Sequence, residues 1–410
     1  MGHHEDITRN ERQTGMATRA IHAGEIHDES GAHIAPIYQT STFTFDGMTA
    51  VEDWTSGKTP ALIYSRAGNP SRAALAAKLA ALETYGSAGE QNPASGEIFA
   101  SGMAAISAAL MGTAKAGNHI LTQQVLYGSA DHLISDVLPD YGITNQRIPH
   151  LDPDELERQL QLSPNTSVVY LETPANPTLR VMDIALTAEI AHAHGARLVV
   201  DNTFATPVLQ RPLQLGADVV VHSTTKYING HGTIIGGAVV STDTELMENE
   251  ISALIRFTGG VPSPLDCWLT NLGLKTLPLR MDRHCDSAMQ VATFLDEHPA
   301  VVATHYPGLA SHPQHDITQR QMAAAGAMLA FDLGSYEAAT RFLDRLEICT
   351  LAVSLGNLDT LIEHPASMTH RVVPVEERHA SGITDGLIRI SVGLEDAADI
   401  IADLDNALSS

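Results

Sequence analysis

The spacing of apolar positions separates the first 68 residues of the chain from the rest. Over residues 1–68 the apolar positions show no sustained periodicity, and glycine and proline recur throughout, as they do in an extended arm. From residue 71 onward, short apolar runs alternate with helical patterns. This alternation of strands and helices predicts an α/β fold with a mostly parallel sheet that has helices on both faces.

The same pattern predicts the individual elements. An alanine-rich run predicts a helix over 73–82. The remaining predictions are strands at 97–99, 119–121, 167–171, 198–200, 217–222 and 387–392, and helices at 103–111, 129–138, 183–194, 265–298 and 397–408. Glycines and prolines between 259 and 264 indicate a boundary. We therefore predict an N-terminal arm over 1–68, a sheet domain over 69–262 and a smaller α+β domain over 263–410.

Composition narrows the classes of function. The chain has 410 residues and a formal net charge of −24, which argues against a nucleic-acid partner, because binding phosphate backbones requires clustered Lys and Arg. No apolar run approaches the roughly 20 residues of a membrane span, and no signal-peptide pattern opens the chain. We therefore expect no membrane partner and a cytoplasmic location. Three widely spaced cysteines predict buried thiols, and the histidine spacing favours ordinary packing over a metal site.

The most specific candidate functional residues lie at the end of one predicted buried strand and in the segment after it. The apolar run 198–200 ends at Asp201, and Lys226 follows directly after three hydroxyl residues at 223–225. Parallel strands bring such residues to one edge of a sheet, where α/β proteins bind ligands. A lysine there can form an imine with pyridoxal phosphate (PLP), a carboxylate can keep the pyridine nitrogen protonated, and hydroxyls can bind the phosphate. A surface lysine after a buried strand is the alternative interpretation of Lys226 alone.

Five other positions suit the same cofactor and an amino-acid substrate. Gly102 and Met103 open a helix after a strand, so free backbone amides there can bind a phosphate. Tyr127 can stack on a pyridine ring or donate a proton, and Asn176, in a proline-rich turn, can bond to the ring oxygen. Arg389 is a single arginine in an apolar strand and matches a carboxylate. The alternatives are a plain glycine turn, a packing tyrosine and a structural ion pair.

Several motifs together resemble the Cys/Met-metabolism family of PLP enzymes, of fold type I, from about residue 18 to residue 408. The motifs that carry the resemblance are Tyr64-Ser65-Arg66 with Asn69-Pro70, Ser101-Gly102-Met103, Leu126-Tyr127-Gly128, Asp201-Asn202-Thr203, Ser223-Thr224-Thr225-Lys226-Tyr227 and His364-Pro365-Ala366-Ser367-Met368-Thr369-His370. The resemblance implies a mostly parallel seven-stranded sheet, a smaller C-terminal domain, a PLP cofactor and a homotetramer built as a dimer of dimers.

The resemblance also implies a role for each site residue. Lys226 would bind the cofactor covalently, Asp201 would pair with its pyridinium nitrogen, and Tyr127 would stack on its ring. The phosphate would be held by Gly102, Met103, Ser223 and Thr225. Tyr64 and Arg66 would reach the phosphate in the neighbouring subunit, so that the arm completes that subunit's site. The domain over 69–262 would then be the PLP-binding domain.

The segment around Val353 resembles methionine γ-lyases most. Relatives specific for cystathionine have a glutamate at this position, whereas an apolar Val353 suits a methyl thioether; Ser354 and Arg389 are expected to contact the substrate. Two positions depart from methionine γ-lyases, because Ser129 stands in place of a cysteine and Ile255-Arg256 in place of a Lys-Asp pair. The implied reaction is α,γ-elimination of L-methionine to methanethiol, 2-oxobutanoate and ammonia, with O-acetylhomoserine sulfhydrylase and cystathionine γ-lyase as alternatives.

Overall fold

Two β-sheets organise the chain in the computed structural model, which describes residues 14–26, 28–86, 94–371 and 373–409. The strands are β1 (Ser95–Phe99), β2 (His119–Gln123), β3 (Thr144–Ile148), β4 (Thr166–Glu172), β5 (Arg197–Asp201), β6 (Val219–His222), β7 (Gly237–Ser241), β8 (Ala303–His305), β9 (Met328–Asp332), β10 (Thr350–Leu351), β11 (Leu361–Glu363) and β12 (Leu387–Ser391).

Helices cover both faces of the larger sheet and pack on the smaller one. The α-helices are α1 (Met16–His22), α2 (Met48–Thr55), α3 (Pro70–Glu83), α4 (Gly102–Thr113), α5 (Gly128–His132), α6 (Leu138–Asp140), α7 (Pro153–Leu162), α8 (Ile184–Ala193), α9 (Thr206–Leu209), α10 (Thr244–Leu246), α11 (Ser252–Thr258), α12 (Pro264–Lys275), α13 (Leu277–Glu297), α14 (His315–Gln321), α15 (Tyr336–Leu343), α16 (Val375–Ala380) and α17 (Ala397–Leu408). Among the described residues, no helix is long and apolar enough to cross a membrane.

The larger sheet has seven strands in the order β1-β7-β6-β5-β4-β2-β3. All neighbouring pairs are parallel except those of β7, which runs antiparallel to both β1 and β6. The predicted α/β class and mostly parallel seven-stranded sheet are therefore confirmed. In this sheet Glu172 and Asp201 lie opposite each other at the carboxyl ends of β4 and β5.

The smaller sheet has five strands in the order β10-β11-β12-β9-β8. Its strands β11 and β12 are antiparallel, and their register places Glu363 opposite Arg389. One hydrophobic core contains residues of both regions, including Leu79 in α3, Ile98 in β1 of the larger sheet and Ile390 in β12 of the smaller one. Shared burial therefore brings this part of the smaller sheet against the larger one.

Three predicted segments differ in detail from the observed ones. The arm contains two short helices, α1 and α2, rather than extended chain alone, and the burial of Ala20 shows that α1 packs into the core. The predicted helix over 265–298 is divided into α12 and α13 at Thr276, just before Pro278, which has no backbone N–H to continue the helical bonding. The segment 129–138 contains a π-helical turn over 133–137 that precedes Pro139. Cys267, Cys285 and Cys349 are free and buried, as predicted.

Candidate active site

A cavity of about 470 Å³ opens at the carboxyl edge of the larger sheet, within the usual size range of small-molecule sites. The residues that line it are Ser101, Gly102, Met103, Ile106, Tyr127, Glu172, Pro174, Asn176, Asp201, Thr203, Phe204, Ser223, Thr225, Lys226, Ile235, Val353, Ser354, Leu355, Thr369 and Arg389. Most of the residues singled out from the sequence therefore lie in one cavity, with walls from both sheets.

Lys226 is a largely desolvated amine. Its Nζ donates a hydrogen bond to Ser354 Oγ at 2.8 Å. Burial, together with the positive charge of Arg389, lowers the pKa of Lys226 to about 8, and Glu363 opposes that fall. A substantial fraction of this amine is therefore neutral, and thus nucleophilic, near pH 8.

Asp201 lies in an anionic part of the cavity wall. It accepts a hydrogen bond from the Thr203 amide at 2.9 Å, and it forms no ion pair with any of the described residues. Glu172 beside it accepts bonds from the Tyr127 amide at 2.8 Å and the Tyr170 hydroxyl at 3.2 Å. Burial raises the pKa of Asp201, and burial together with the Asp201 charge raises the pKa of Glu172 to about 8. Such a pair suits a ligand that brings a positive charge.

The N-terminus of α4 forms another part of the cavity wall. Ser101 caps this helix by accepting a bond from the Ala104 amide, so the amides of Gly102 and Met103 remain for a ligand. A Cβ atom on Gly102 would lie 2.9 Å from the Cβ of Ser223. Glycine is needed here because the helix must approach Ser223 this closely, which brings helix amides and a hydroxyl together in an arrangement suited to a phosphate.

Arg389 both lines the cavity and takes part in an ion pair, so the ion pair of the alternative interpretation is present, while its contact with a substrate carboxylate stays a prediction. Its Nη1 lies 3.0 Å from Glu363 Oε1 and donates to Asn176 Oδ1 at 2.7 Å. Its Nη2 donates to the Ser354 carbonyl at 2.8 Å. The Nε atom is buried and has no hydrogen-bond partner, so one donor of the guanidinium remains available to a ligand anion.

Three predicted site residues lie outside this cavity. Ser129 is exposed on α5 and does not line the cavity. The guanidinium of Arg66 lies over the ring of Tyr64, with its carbon 5.6 Å from the ring centroid, and Nη1 donates to the Arg256 carbonyl. Tyr64 and Arg66 are exposed here, so their predicted contact with a neighbouring subunit stays a prediction, as does the effect of Ser129 on substrate choice.

Two acidic residues of the site had no predicted role. Glu172 directly follows the predicted strand 167–171 and begins the proline-rich turn that holds Asn176, and Glu363 immediately precedes the His364 motif. Their sequence positions at the ends of apolar runs could have indicated them. Their partners could not be inferred, because strand register alone places Glu172 beside Asp201 and Glu363 beside Arg389.

The residues present fit PLP. Asp201 would supply the anion that a pyridinium nitrogen needs, Lys226 the amine for a covalent bond, and the helix amides with the nearby hydroxyls a phosphate site. The buried Arg389 Nε without a partner supplies a further donor for a substrate carboxylate. The chain therefore contains each group that this cofactor and an amino acid require.

Comparison with known proteins agrees with this chemistry. The family described as Cys/Met metabolism PLP-dependent enzyme matches residues 17–409. An L-methionine gamma-lyase of Porphyromonas gingivalis is 46% identical over 408 residues, which cover 99% of each chain. A cystathionine gamma-lyase of Bacillus subtilis is 43% identical over 394 residues, covering 96% of this chain and 99% of its own.

A solved structure shares the fold. The crystal structure of cystathionine gamma synthase from Xanthomonas oryzae pv. oryzae, in complex with aminoacrylate and cysteine, matches with a TM-score of 0.89 at 40% identity, over 97% of this chain and 98% of that one. The predicted PLP cofactor and the predicted class of PLP-dependent carbon–sulfur lyase are thus confirmed. The chain belongs to the Cys/Met metabolism family of PLP-dependent enzymes.

Proposed function

We propose that the protein catalyses α,γ-elimination of L-methionine and related sulfur amino acids, using one water to form methanethiol, 2-oxobutanoate and ammonia. The observation that carries the proposal is the convergence of Lys226, Asp201, Tyr127 and Arg389 on one cavity beside the apolar Val353. Relatives named L-methionine gamma-lyase at 46% identity support it. Relatives named cystathionine gamma-lyase and cystathionine gamma-synthase leave substrate choice as the part to be tested.

The proposed roles follow from the geometry of the chain's own residues. PLP, when bound, supplies an electron sink for the substrate carbon that bears the amino group. Arg389 would orient the substrate by its carboxylate, and Asp201 would supply the negative charge that keeps the ring nitrogen protonated. Lys226 Nζ takes a proton from Cα and later one from Cβ, while the Tyr127 hydroxyl gives a proton to the departing sulfur at Cγ.

Turnover of single substrates tests the proposal directly. Purified enzyme is given L-methionine alone, and 2-oxo acid and thiol are measured; the same assay is repeated with homocysteine, cysteine and cystathionine. We expect L-methionine to be cleaved without a second substrate. A sulfhydrylase would instead form no 2-oxo acid from L-methionine and would require sulfide with an activated homoserine ester, which would refute the proposal.

Val353→Glu tests how the cavity selects among these substrates. The side chain of Val353 lines the cavity and is 52% exposed, so a carboxylate there can bind a distal ammonium group of cystathionine. We expect kcat/KM to fall for L-methionine and to rise for cystathionine, with a change of about tenfold in their ratio. An unchanged ratio would show that Val353 does not select the substrate.

We further propose how the chain is divided into domains and how its copies assemble. Residues 69–262 would form the PLP-binding domain, 263–410 the C-terminal domain, and 1–68 the arm that completes a neighbouring site in a homotetramer. The exposed positions of Tyr64 and Arg66, outside the cavity of their own chain, support this arrangement. Activity mixing between Arg66→Ala and Lys226→Ala chains tests it, because a shared site would regain activity in the mixed oligomer. We also propose a cytoplasmic location, as expected from the sequence.

A further inference from the structure

The ion pair between Arg389 and Glu363 is buried on both sides. The side chains are 4% and 0% exposed, and Nη1 and Oε1 are 3.0 Å apart. Water and salt therefore screen this pair little, and the negative charge acts strongly on the guanidinium. Glu363 does not itself line the cavity, whereas Arg389 does.

The pair is also incompletely bonded. Glu363 Oε1 accepts a bond from Thr369 Oγ1 at 2.9 Å in addition to its contact with Arg389, whereas Oε2 is buried without a partner. On the other side, Arg389 Nε is buried without a partner. A closed, bidentate ion pair would use these atoms. The open geometry instead leaves Arg389 able to bind a second anion while it stays next to the first.

We propose that Glu363 is a positioning residue that offsets part of the Arg389 charge. The arginine can then orient the substrate carboxylate without binding it too tightly, and it places less unbalanced positive charge beside Lys226. This inference rests on the proposed role of Arg389 in binding the substrate carboxylate. It assigns a function to a residue that touches neither the substrate nor the cofactor.

The electrostatics of Lys226 support this inference. The charge of Arg389 lowers the pKa of Lys226, and that of Glu363 raises it. The charged or titratable groups that line the same cavity are Tyr127, Glu172, Asp201 and Arg389, and His370 adjoins it through a 3.0 Å contact with Thr369 Oγ1. Of these groups and Glu363, only Glu363 is in direct ionic contact with Arg389 in the described part of the chain. Replacing Glu363 therefore removes one identified charge–charge interaction.

The first test needs no substrate. The full-length apoenzyme of wild type and of Glu363→Gln is mixed with PLP, and the rate of covalent capture is followed by visible absorption from pH 6 to 10. Since the neutral amine is the nucleophile, the midpoint of this profile follows the pKa of Lys226. We expect the midpoint of Glu363→Gln to lie lower by at least about half a pH unit. An unchanged or higher midpoint in a folded variant overturns the inference.

The second test measures how tightly the enzyme binds a ligand carboxylate. The holoenzyme is titrated with glycine and with glycinamide, which lacks the carboxylate, and binding is followed by the absorption of the bound cofactor. We expect Glu363→Gln to bind glycine at least about threefold more tightly and glycinamide as wild type does. Weaker or equal glycine binding overturns the inference. If wild type does not distinguish glycine from glycinamide, the proposed role of Arg389 fails instead, and the capture test still decides whether Glu363 acts on Lys226.

Two further variants separate this role from a structural one. Glu363→Asp keeps the charge but moves it away from Arg389, so it should shift both readouts in the same direction by a smaller amount. Asp403→Asn is the matched control, because Asp403 is also a buried carboxylate but does not line the cavity, and its partners are the amides of residues 347–349 and the Cys349 side chain. It should lower stability and change neither readout. Equal shifts in Asp403→Asn and Glu363→Gln would show a general effect of lost stability and refute the inference.

Discussion

The two sheets contribute opposite charges to the cavity in different ways. At the edge of the larger sheet, the buried Glu172 and the half-buried Asp201 lie side by side and form no ion pair with the described residues. In the smaller sheet, Arg389 has Glu363 as a counter-charge within the fold. The larger sheet thus provides an anionic site without a counter-charge among the described residues, whereas the smaller sheet provides a cation that is already partly neutralised.

Lys226→Ala should have the largest effect, because it removes the group that lies between these two regions. The amine is the proposed covalent attachment point and the proposed proton carrier, so we expect turnover to fall by about 10³-fold or more. Borohydride treatment and peptide mapping of wild type should find the pyridoxyl group on Lys226, and in the variant on no residue of the cavity. A pyridoxyl group on another lysine of wild type would contradict the assignment.

Asp201→Asn tests the larger sheet and should come next. Loss of the anion proposed to pair with the ring nitrogen should raise the activation free energy by about 3 kcal/mol, so that kcat falls by about a hundredfold. Without cofactor the variant should melt at the same or a higher temperature than wild type, because a buried charge beside Glu172 has been removed. The stabilisation by added PLP should shrink. A lower melting temperature of the apoenzyme would show that Asp201 is mainly structural.

Glu172→Gln should alter the pH dependence of stability in the apoenzyme. Burial and Asp201 raise the pKa of Glu172 from 4.5 to about 8 in the folded chain. The folded state therefore holds this proton up to about pH 8, while the unfolded state releases it near pH 4.5. As a result, the free energy of unfolding should fall as the pH rises between these values. Glu172→Gln should flatten this fall, by more than about 1 kcal/mol across the window in denaturant unfolding. Parallel profiles for the two proteins would exclude the charge effect.

Ser354→Ala should have the smallest effect of the four. It removes the hydrogen bond from Lys226 Nζ, which is worth about 1 kcal/mol, so kcat should fall by about fivefold. Ser354 has a φ of 91°, a conformation unfavourable for serine and alanine alike, so the substitution leaves that strain in place and isolates the hydroxyl. Ser354→Gly, which relieves the strain, is the control. A drop as large as that of Lys226→Ala would place Ser354 in the chemistry itself.

Much of the larger sheet and its chemistry could be predicted from local patterns. The apolar runs that end at Asp201 and before Ser223 are short and continuous, as buried parallel strands are, and their residues do meet in the cavity. The arm was harder to predict, because α1 is helical only where it packs into a core formed by distant residues. The division between α12 and α13 depended on Pro278, which the apolar pattern alone does not reveal.

The sequence by itself determined which groups are available: one lysine after a buried strand, a carboxylate before it, a glycine-opened helix and a lone arginine in an apolar strand. Only the tertiary structure decided which charges face each other. The pairing of Glu172 with Asp201 and of Glu363 with Arg389 follows from strand register. Register is a long-range property, because each of these pairs joins residues on two different strands that hydrophobic burial brings side by side.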